Sequence, residues 1–375
     1  MKSRTDVCKI CGARAVSIFD MPVTKLTGHP IPADGSAPNC SYFECSACGF
    51  VFTPDTDHLD QSAVYDADYW DKQDGGWYGR ASETLRLVMM ASSLIGKPAD
   101  SLSILDFGCG MGGPLNIARN LGLDIWGTDI NEAPLCKDRY LSSLAGRTFD
   151  VIVACEVLEH LTDPVGVLRT LTGCLNDGGV LAFQTAYWDS AVCGRDWWYV
   201  GPANGHISFY SPRSFDRLAA RLGVRRRLSW NGYAGLQAWQ IGGGGQDDCR
   251  VFAAGQLRLS PNATRLDNVI RGEQVPEGQP VCYGPYVDVE AGDYQLMLVG
   301  EMGGPCQVRI TCDCGRQTIL RTEWAGPQSV LSFSLATPAR DFECVVFRGA
   351  GGTPFRLTSI ILARHGDGDG LGAPQ

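Results

Sequence analysis

Apolar residues along this chain follow two rhythms. From residue 75 to 243, short apolar runs alternate with amphipathic stretches. Ser103 to Phe107, Ile125 to Asp129, Phe149 to Cys155 and Val180 to Thr185 are the runs. They are bounded by turn residues, as strands buried on both faces should be. Ala81 to Leu94 places Leu85, Val88 and Met89 on one helical face. Asn116 to Leu121 continues a helix entered through Pro114, and Val165 to Leu175 reads as another. Ser211-Pro212 opens a helix that Gly223 ends. Strands separated by helices predict a doubly wound parallel sheet. Val224 to Trp230 and Leu236 to Ile241 read as a hairpin closing it.

The flanks differ. Residues 1–74 carry Pro22, Gly28, Pro30, Pro32, Gly35 and Pro38 and little helical periodicity, which predicts a small knuckle-and-strand module. After the glycines Gly242 to Gly245, short β-rich runs alternate with Gly and Pro turns: Tyr294 to Val299, Gln307 to Cys312, Val330 to Leu335, Cys344 to Phe347 and Leu357 to Ala363. They predict an antiparallel β-sandwich over 246–364, with a disordered Gly-rich tail over 365–375. The expected domains are therefore 1–74, 75–243 and 246–364.

Composition narrows the classes. The 375 residues suit two or three domains, and a net charge of −9 argues against a surface built for nucleic-acid phosphates. The first residues, MKSRTDVCKICGA, have no apolar run behind their charges, and no stretch approaches the ~20 apolar residues of a membrane span. The expectation is a cytoplasmic protein whose sixteen cysteines are thiols and metal ligands rather than disulfides.

Chemistry concentrates at Leu105-Asp106-Phe107-Gly108-Cys109-Gly110-Met111-Gly112-Gly113, a strand running through a glycine-rich turn into a helix. Such a turn brings backbone close under a ligand and aims helix N–H groups at it. Asp129 ends the next strand about 20 residues on, where a carboxylate can accept both hydroxyls of a ribose. Glycine spacing alone also fits a dinucleotide. Asp106, just before the glycines, suits a cationic ligand and would repel pyrophosphate.

LDFGCGMGG, WGTDI, FDVIVACEVLEHLTDP and LNDGGVLAF, in that order from Leu105 to Phe183, resemble the successive motifs of class I S-adenosylmethionine (SAM)-dependent methyltransferases. The resemblance implies a Rossmann-like α/β core. It implies that Asp106, Gly108, Gly110 and Gly112 line the methionine end of SAM and that Asp129 holds the ribose. Ile130 would lie beside the adenine, with Cys155 and Glu156 at the cofactor edge. One departure stands out: residues 131–148 are too few for a full helix and third strand.

Cys8-Lys-Ile-Cys11 and Cys45-Ser-Ala-Cys48 are two close pairs, the spacing of a tetrahedral thiolate zinc site. Four thiolates leave no open position, so a structural Zn2+ is expected. This module resembles the zinc-binding, zinc-ribbon-like N-terminal domain of methyltransferases acting on nucleotide-linked deoxysugars. The substrate class this implies is a small-molecule sugar or nucleotide-sugar.

Methyl transfer to a hydroxyl needs a base on the rim formed by the C-terminal strand ends. Glu159 and His160 lie just past the fourth strand and His206 just past the fifth. The run His206-Ile-Ser-Phe-Tyr210 resembles the segment of sugar methyltransferases that carries a catalytic histidine, with Gly205 where some place Glu. That resemblance makes His206 the expected base. The same residues offer a second reading. Glu156, Glu159 and His160 at i, i+3 and i+4 would share a helix face and, with His206, ligate a divalent ion. That set is similar to the metal-dependent methyltransferases of RNA 3′-terminal 2′-hydroxyls. A third reading is a non-catalytic SAM-fold protein whose sandwich, loosely similar to those on saccharide enzymes, does the binding. Asp196-Trp197-Trp198-Tyr199 precedes His206 and can stack on a sugar or fill a core.

Overall fold

A computed structural model describes residues 4–32, 38–58, 77–130, 135–230, 235–242, 248–266, 269–324, 326, 330–349 and 355–365. The expected boundary at 74/75, the linker glycines after Gly242 and the tail beyond His365 lie outside the described residues. The chain divides into two compact units, Met1–Val224 with Leu236–Gly243, and Arg225–Gly235 with Gly244–Gln375.

The first unit opens with an antiparallel run of β1 (Thr5–Val7), β2 (Arg14–Pro22), β3 (Asn39–Cys45) and β4 (Val51–Phe52). The two cysteine pairs occupy the turns after β1 and β3, and those turns are near copies. In each, the glycine after the second cysteine donates its N–H to the first cysteine's carbonyl at 2.9 Å (Gly12 to Cys8, Gly49 to Cys45). Both glycines are left-handed (φ 74 and 68), the conformation such a knuckle demands.

Next come α1 (Trp77–Ile95), β5 (Ser103–Phe107), α2 (Gly113–Asn120), β6 (Asp124–Thr128), β7 (Phe149–Cys155), α3 (Pro164–Gly173), β8 (Leu175–Gln184), β9 (Ser208–Phe209) and α4 (Pro212–Leu222). The strands β10 (Val224–Trp230) and β11 (Leu236–Ile241) follow. The sheet of this unit runs β6-β5-β7-β8-β11, with the first four parallel and β11 antiparallel to β8. Val151 to Cys155 are all buried, which is why β7 reads as an unbroken apolar run. Trimming one of them, Ile152→Ala, should cost about 2–5 kcal/mol.

The start and stop of α4 are the ones its sequence announces. The Ser211 hydroxyl accepts from the Ser214 N–H at 3.2 Å, and Gly223 ends the helix at φ 67. Its buried face sets Phe215 against Phe183, Tyr210 and Trp239. The same core cluster holds Cys8, Cys45, Cys48, Phe50 and Phe52, so the cysteine module shares its core with the parallel sheet. A backbone link joins them as well: β4 pairs with β9 as Val51↔Phe209 and Phe52↔Ser208.

Among the described residues, the third strand shrinks to one bridge, Gly127↔Tyr140, in line with the short 131–148 crossover.

The second unit adds β12 (Asp248–Ala253), β13 (Arg258–Leu259), β14 (Thr264–Leu266), β15 (Val269–Arg271), β16 (Pro280–Val289) and β17 (Gly292–Met302). It ends with β18 (Cys306–Cys312), β19 (Gln317–Trp324), β20 (Leu331–Leu335), β21 (Ala339–Phe347) and β22 (Phe355–His365). One sheet is antiparallel in the order β13-β16-β21-β18-β19. β22 anchors the other by pairing with β12, β15 and β17. Both contribute to one core around Trp324, Leu296 and Phe342. The arrangement is not wholly antiparallel, because β12 runs parallel to β10; the connection 231–247 is long enough for the crossover such a pair needs.

Candidate active site

At the end of β5 the backbone turns left-handed at Gly108, Gly110 and Gly112 (φ 80, 55 and 85). Gly108 is required by space as well, since a Cβ there would stand 2.5 Å from Val157 Cγ2. The N–H groups of Gly108 and Cys109 donate to Thr128 O at 2.8 and 3.2 Å, and Gly110 N–H donates to Asp129 Oδ2 at 2.8 Å. The loop is thereby laced to the end of β6. Asp106 is buried beneath it. Burial, then the charges of Asp106 and Asp129, push the Cys109 thiol up, so it stays protonated.

Sequence reasoning missed Gly127. A Cβ there would stand 2.5 Å from Leu115 Cδ1 and 2.7 Å from Cys109 Sγ, so this glycine lets α2 and the loop settle on the sheet. Beside Asp129, Ile130 is 52% exposed and Leu135 is 49% exposed. Leu135 is held there by its N–H to Met111 O at 3.0 Å. A glycine turn, a carboxylate at Asp129 and the exposed apolar side chains of Ile130 and Leu135 suit the amino-acid end, the ribose and the adenine of SAM in turn.

Past β7, Glu156 adopts φ 53, a left-handed geometry that costs a non-glycine residue on the order of 1 kcal/mol or more. Its carboxylate accepts from the Tyr199 hydroxyl at 2.7 Å and from Gln184 Nε2 at 3.3 Å. Leu158–His160 is a single 3-10 turn, not the helix that the Glu-x-x-Glu-His spacing predicts. The left-handed residue breaks the helical path, and Leu161 is already extended. Glu156 therefore does not share a helical face with Glu159 and His160.

Glu159 is fully buried, and neither carboxylate oxygen meets a partner in hydrogen-bonding geometry. Burial, then the Glu156 charge, raise it well above the usual carboxyl range; the Tyr199 and Thr185 hydroxyls temper this. His160 Nδ1 lies 3.1 Å from Gly205 O, and His206 Nδ1 lies 3.0 Å from Tyr199 O. A carbonyl only accepts, so each Nδ1 carries the donated proton. Nε2 is then the lone-pair nitrogen of the neutral ring. Burial, then the neighbouring His160, hold His206 well below its ordinary pKa. The two imidazoles meet edge to face at 4.8 Å between centroids. One ligand atom from each of Glu159, His160 and His206 lies within 4.8 Å of the others. His160 Nε2 stands 3.7 Å from Glu159 Oε1.

Gly205, where a Glu was the alternative, has φ 76 and supplies the carbonyl that orients His160. In the aromatic run, Trp197 and Tyr199 belong to the interior, Trp197 packing edge-on to Trp188 and Phe209. Trp198 is 42% exposed and packs edge-on to Tyr199.

In the cysteine module, Cys8 and Cys48 sulfurs lie 3.7 Å apart, Cys11 and Cys45 3.5 Å, and Cys11 and Cys48 3.6 Å. Zn–S bonds of ~2.3 Å in a tetrahedron put sulfurs about 3.8 Å apart, so the four thiols fit such an ion. Cys40 stands aside, its thiol pushed up to about 11 by burial and Asp55.

Residues 79–225 match the family model for the methyltransferase domain, so the chain carries such a domain. The ubiquinone biosynthesis O-methyltransferase of Aliivibrio fischeri (strain MJ11) is 31% identical over 113 residues, 25% of this chain and 46% of that protein. The enzyme of that name from Actinobacillus pleuropneumoniae serotype 7 is 28% identical over 156 residues, 35% of this chain and 64% of its own length. The chain thus spans about half to two thirds of these curated relatives. The crystal structure of Burkholderia thailandensis 1,6-didemethyltoxoflavin-N1-methyltransferase with S-adenosylhomocysteine aligns over 57% of this chain and 100% of its own. That alignment has 14% identity and a TM-score of 0.38. Among the described residues, no helix is long and apolar enough to cross a membrane.

Proposed function

We propose that this chain, which carries a methyltransferase domain, transfers a methyl group from SAM to a sugar or nucleotide-linked saccharide, with His206 as general base. Bound SAM supplies an electrophilic methyl group. Asp106, Gly108, Gly110, Gly112, Asp129 and Ile130 hold it, and Cys155 and Glu156 border it. The observation that carries the reading is His206: buried, neutral, and locked by Tyr199 O in the tautomer whose Nε2 accepts a proton. A base that is already neutral takes an acceptor proton at neutral pH without first losing one of its own. His160, oriented by Gly205, keeps positive charge off His206. Trp198 offers an aromatic face to a sugar ring. A structural Zn2+ on Cys8, Cys11, Cys45 and Cys48 completes the enzyme.

One observation favours a second reading. The fully buried Glu159 carboxylate stands with two histidines, one ligand atom of each within 4.8 Å of the others. A divalent ion there would be held by Glu159, His160 and His206, and would supply Lewis-acid activation of an acceptor hydroxyl.

Calorimetric titration with SAM and with S-adenosylhomocysteine, beside Asp129→Ala, tests the cofactor. Micromolar binding that the variant loses supports it; no binding by folded, zinc-loaded protein overturns it. Methyl transfer to nucleotide sugars, with and without chelator, then separates the base from the ion. Activity that survives chelation and dies in His206→Ala selects the base.

A further inference from the structure

The segment bearing His206 does not stand on the methyltransferase core alone. One arm of the cysteine module grips it from β3 and β4. The buried Tyr42 hydroxyl donates to His206 O at 2.8 Å, and Thr53 N–H donates to Ile207 O at 3.0 Å. β4 then pairs with Ser208 and Phe209, and the Ser211 hydroxyl donates to Cys48 O, inside the second knuckle, at 2.6 Å. A second arm, residues 25–28, grips the other end. Asn204 Oδ1 accepts from Thr27 N–H at 2.7 Å and from its hydroxyl at 2.9 Å. Lys25 Nζ, buried, donates to Val200 O at 3.3 Å, and Gly28 N–H donates to Trp198 O at 2.8 Å.

We infer that the four-cysteine module is the template for the acceptor side of the site, with Tyr42 the positioning residue that fixes the backbone of His206. This rests on the reading that His206 acts on the acceptor. The geometry is economical. Tyr42 stacks on Phe209 at 5.6 Å between centroids, so its ring is held by the strand that follows His206 while its hydroxyl holds His206 itself. The knuckle carbonyl of Cys48 receives the Ser211 hydroxyl, so the shape of the knuckle passes directly to the residue that caps α4. The cofactor loop is laced instead to β6 and Leu135. Releasing the grip of Tyr42 or Thr27 should therefore loosen one half of the site and spare the other.

The test is amide hydrogen exchange on the full-length protein, with peptides covering 198–211 and 103–113, alongside SAM affinity and turnover. Tyr42→Phe keeps the ring and removes the donor. Exchange across 198–211 should rise about tenfold, while 103–113 stays as it was. Turnover should fall about tenfold with SAM affinity within twofold, since misplacing a reacting group costs rate rather than cofactor binding. Thr27→Val, on the half-buried second arm, should do the same more weakly. Unchanged exchange across 198–211 in both variants would overturn the inference, as would loosening of both peptides together. If the exchange pattern appears but no acceptor is ever methylated, the functional reading falls and the template stands. If methylation is robust and exchange does not respond, the template falls alone.

Discussion

Two clusters in the first unit hold metal-capable side chains, and they are built in opposite ways. Sulfurs of one cysteine knuckle stand 3.5–3.7 Å from those of the other, and the backbone bonds of the two knuckles repeat each other. Two tight turns of the same shape face each other, each bringing two thiols. The second cluster joins Glu159 and His160, on a 3-10 turn after β7, to His206, more than forty residues on. Its histidines are aimed by bonds to the carbonyls of Gly205 and Tyr199 rather than to one another. A cluster preformed at ion-bonding distance suits a resident structural ion. One whose rings are aimed by backbone carbonyls suits a visiting group.

The largest break in that comparison should come from Cys45→Ser combined with Cys48→Ser. Structural zinc is worth on the order of 10 kcal/mol to a small module. Elemental analysis should find the zinc gone, and calorimetry should find the first unit unfolding far earlier. His206→Ala should lower turnover by about 10²–10⁴ with SAM affinity retained, as removal of a general base does; a loss under fivefold would remove His206 from the chemistry. Asp129→Ala should weaken SAM by about 10–100-fold, the worth of charge-assisted hydrogen bonds, read by calorimetry. Glu159→Gln sharpens the contrast. If the cluster works without an ion, turnover stays within about threefold and a chelator changes nothing. Loss in both experiments would assign the ion.

The smallest effect is in pH. His206 is held below its ordinary value of about 6.5, so it stays neutral, and the acid limb of kcat/KM should lie below pH 6.5. Linkage has the matching sign. The unfolded chain takes up a proton near pH 6.5 that the folded imidazole refuses, so stability falls as pH drops through the interval between the two values. A limb at or above 6.5 would contradict this.

Much of the core was legible because burial on both faces writes itself into composition. β5 and β7 begin and end where their apolar runs do, and α4 is bracketed by Ser211 and Gly223 as its caps announce. Other features left no such trace. β9 is two residues long, too short to show a period, yet its pairing with β4 sets the neighbourhood of His206. The Glu-x-x-Glu-His spacing reads as helix, but Glu156 turns left-handed, which spacing does not encode. Gly127 sits mid-strand, and the need for it arises from α2 arriving above, a tertiary fact. β16 and β19 escaped notice because Pro285 and Gly284 interrupt one and charged residues alternate through the other.

The pairing of β4 with β9 also fixes an order of events during synthesis. Phe52 leaves the ribosome some 150 residues before Ser208, a wait of roughly 8–30 s at about 5–20 residues per second. Through that interval the edge of β4 has no partner, and a bare edge invites pairing with other nascent chains. The knuckles close over far shorter distances, so zinc capture can precede the arrival of β9. Nascent chains stalled between Phe52 and Ser208 should therefore associate with one another more readily than chains stalled after β9 has emerged.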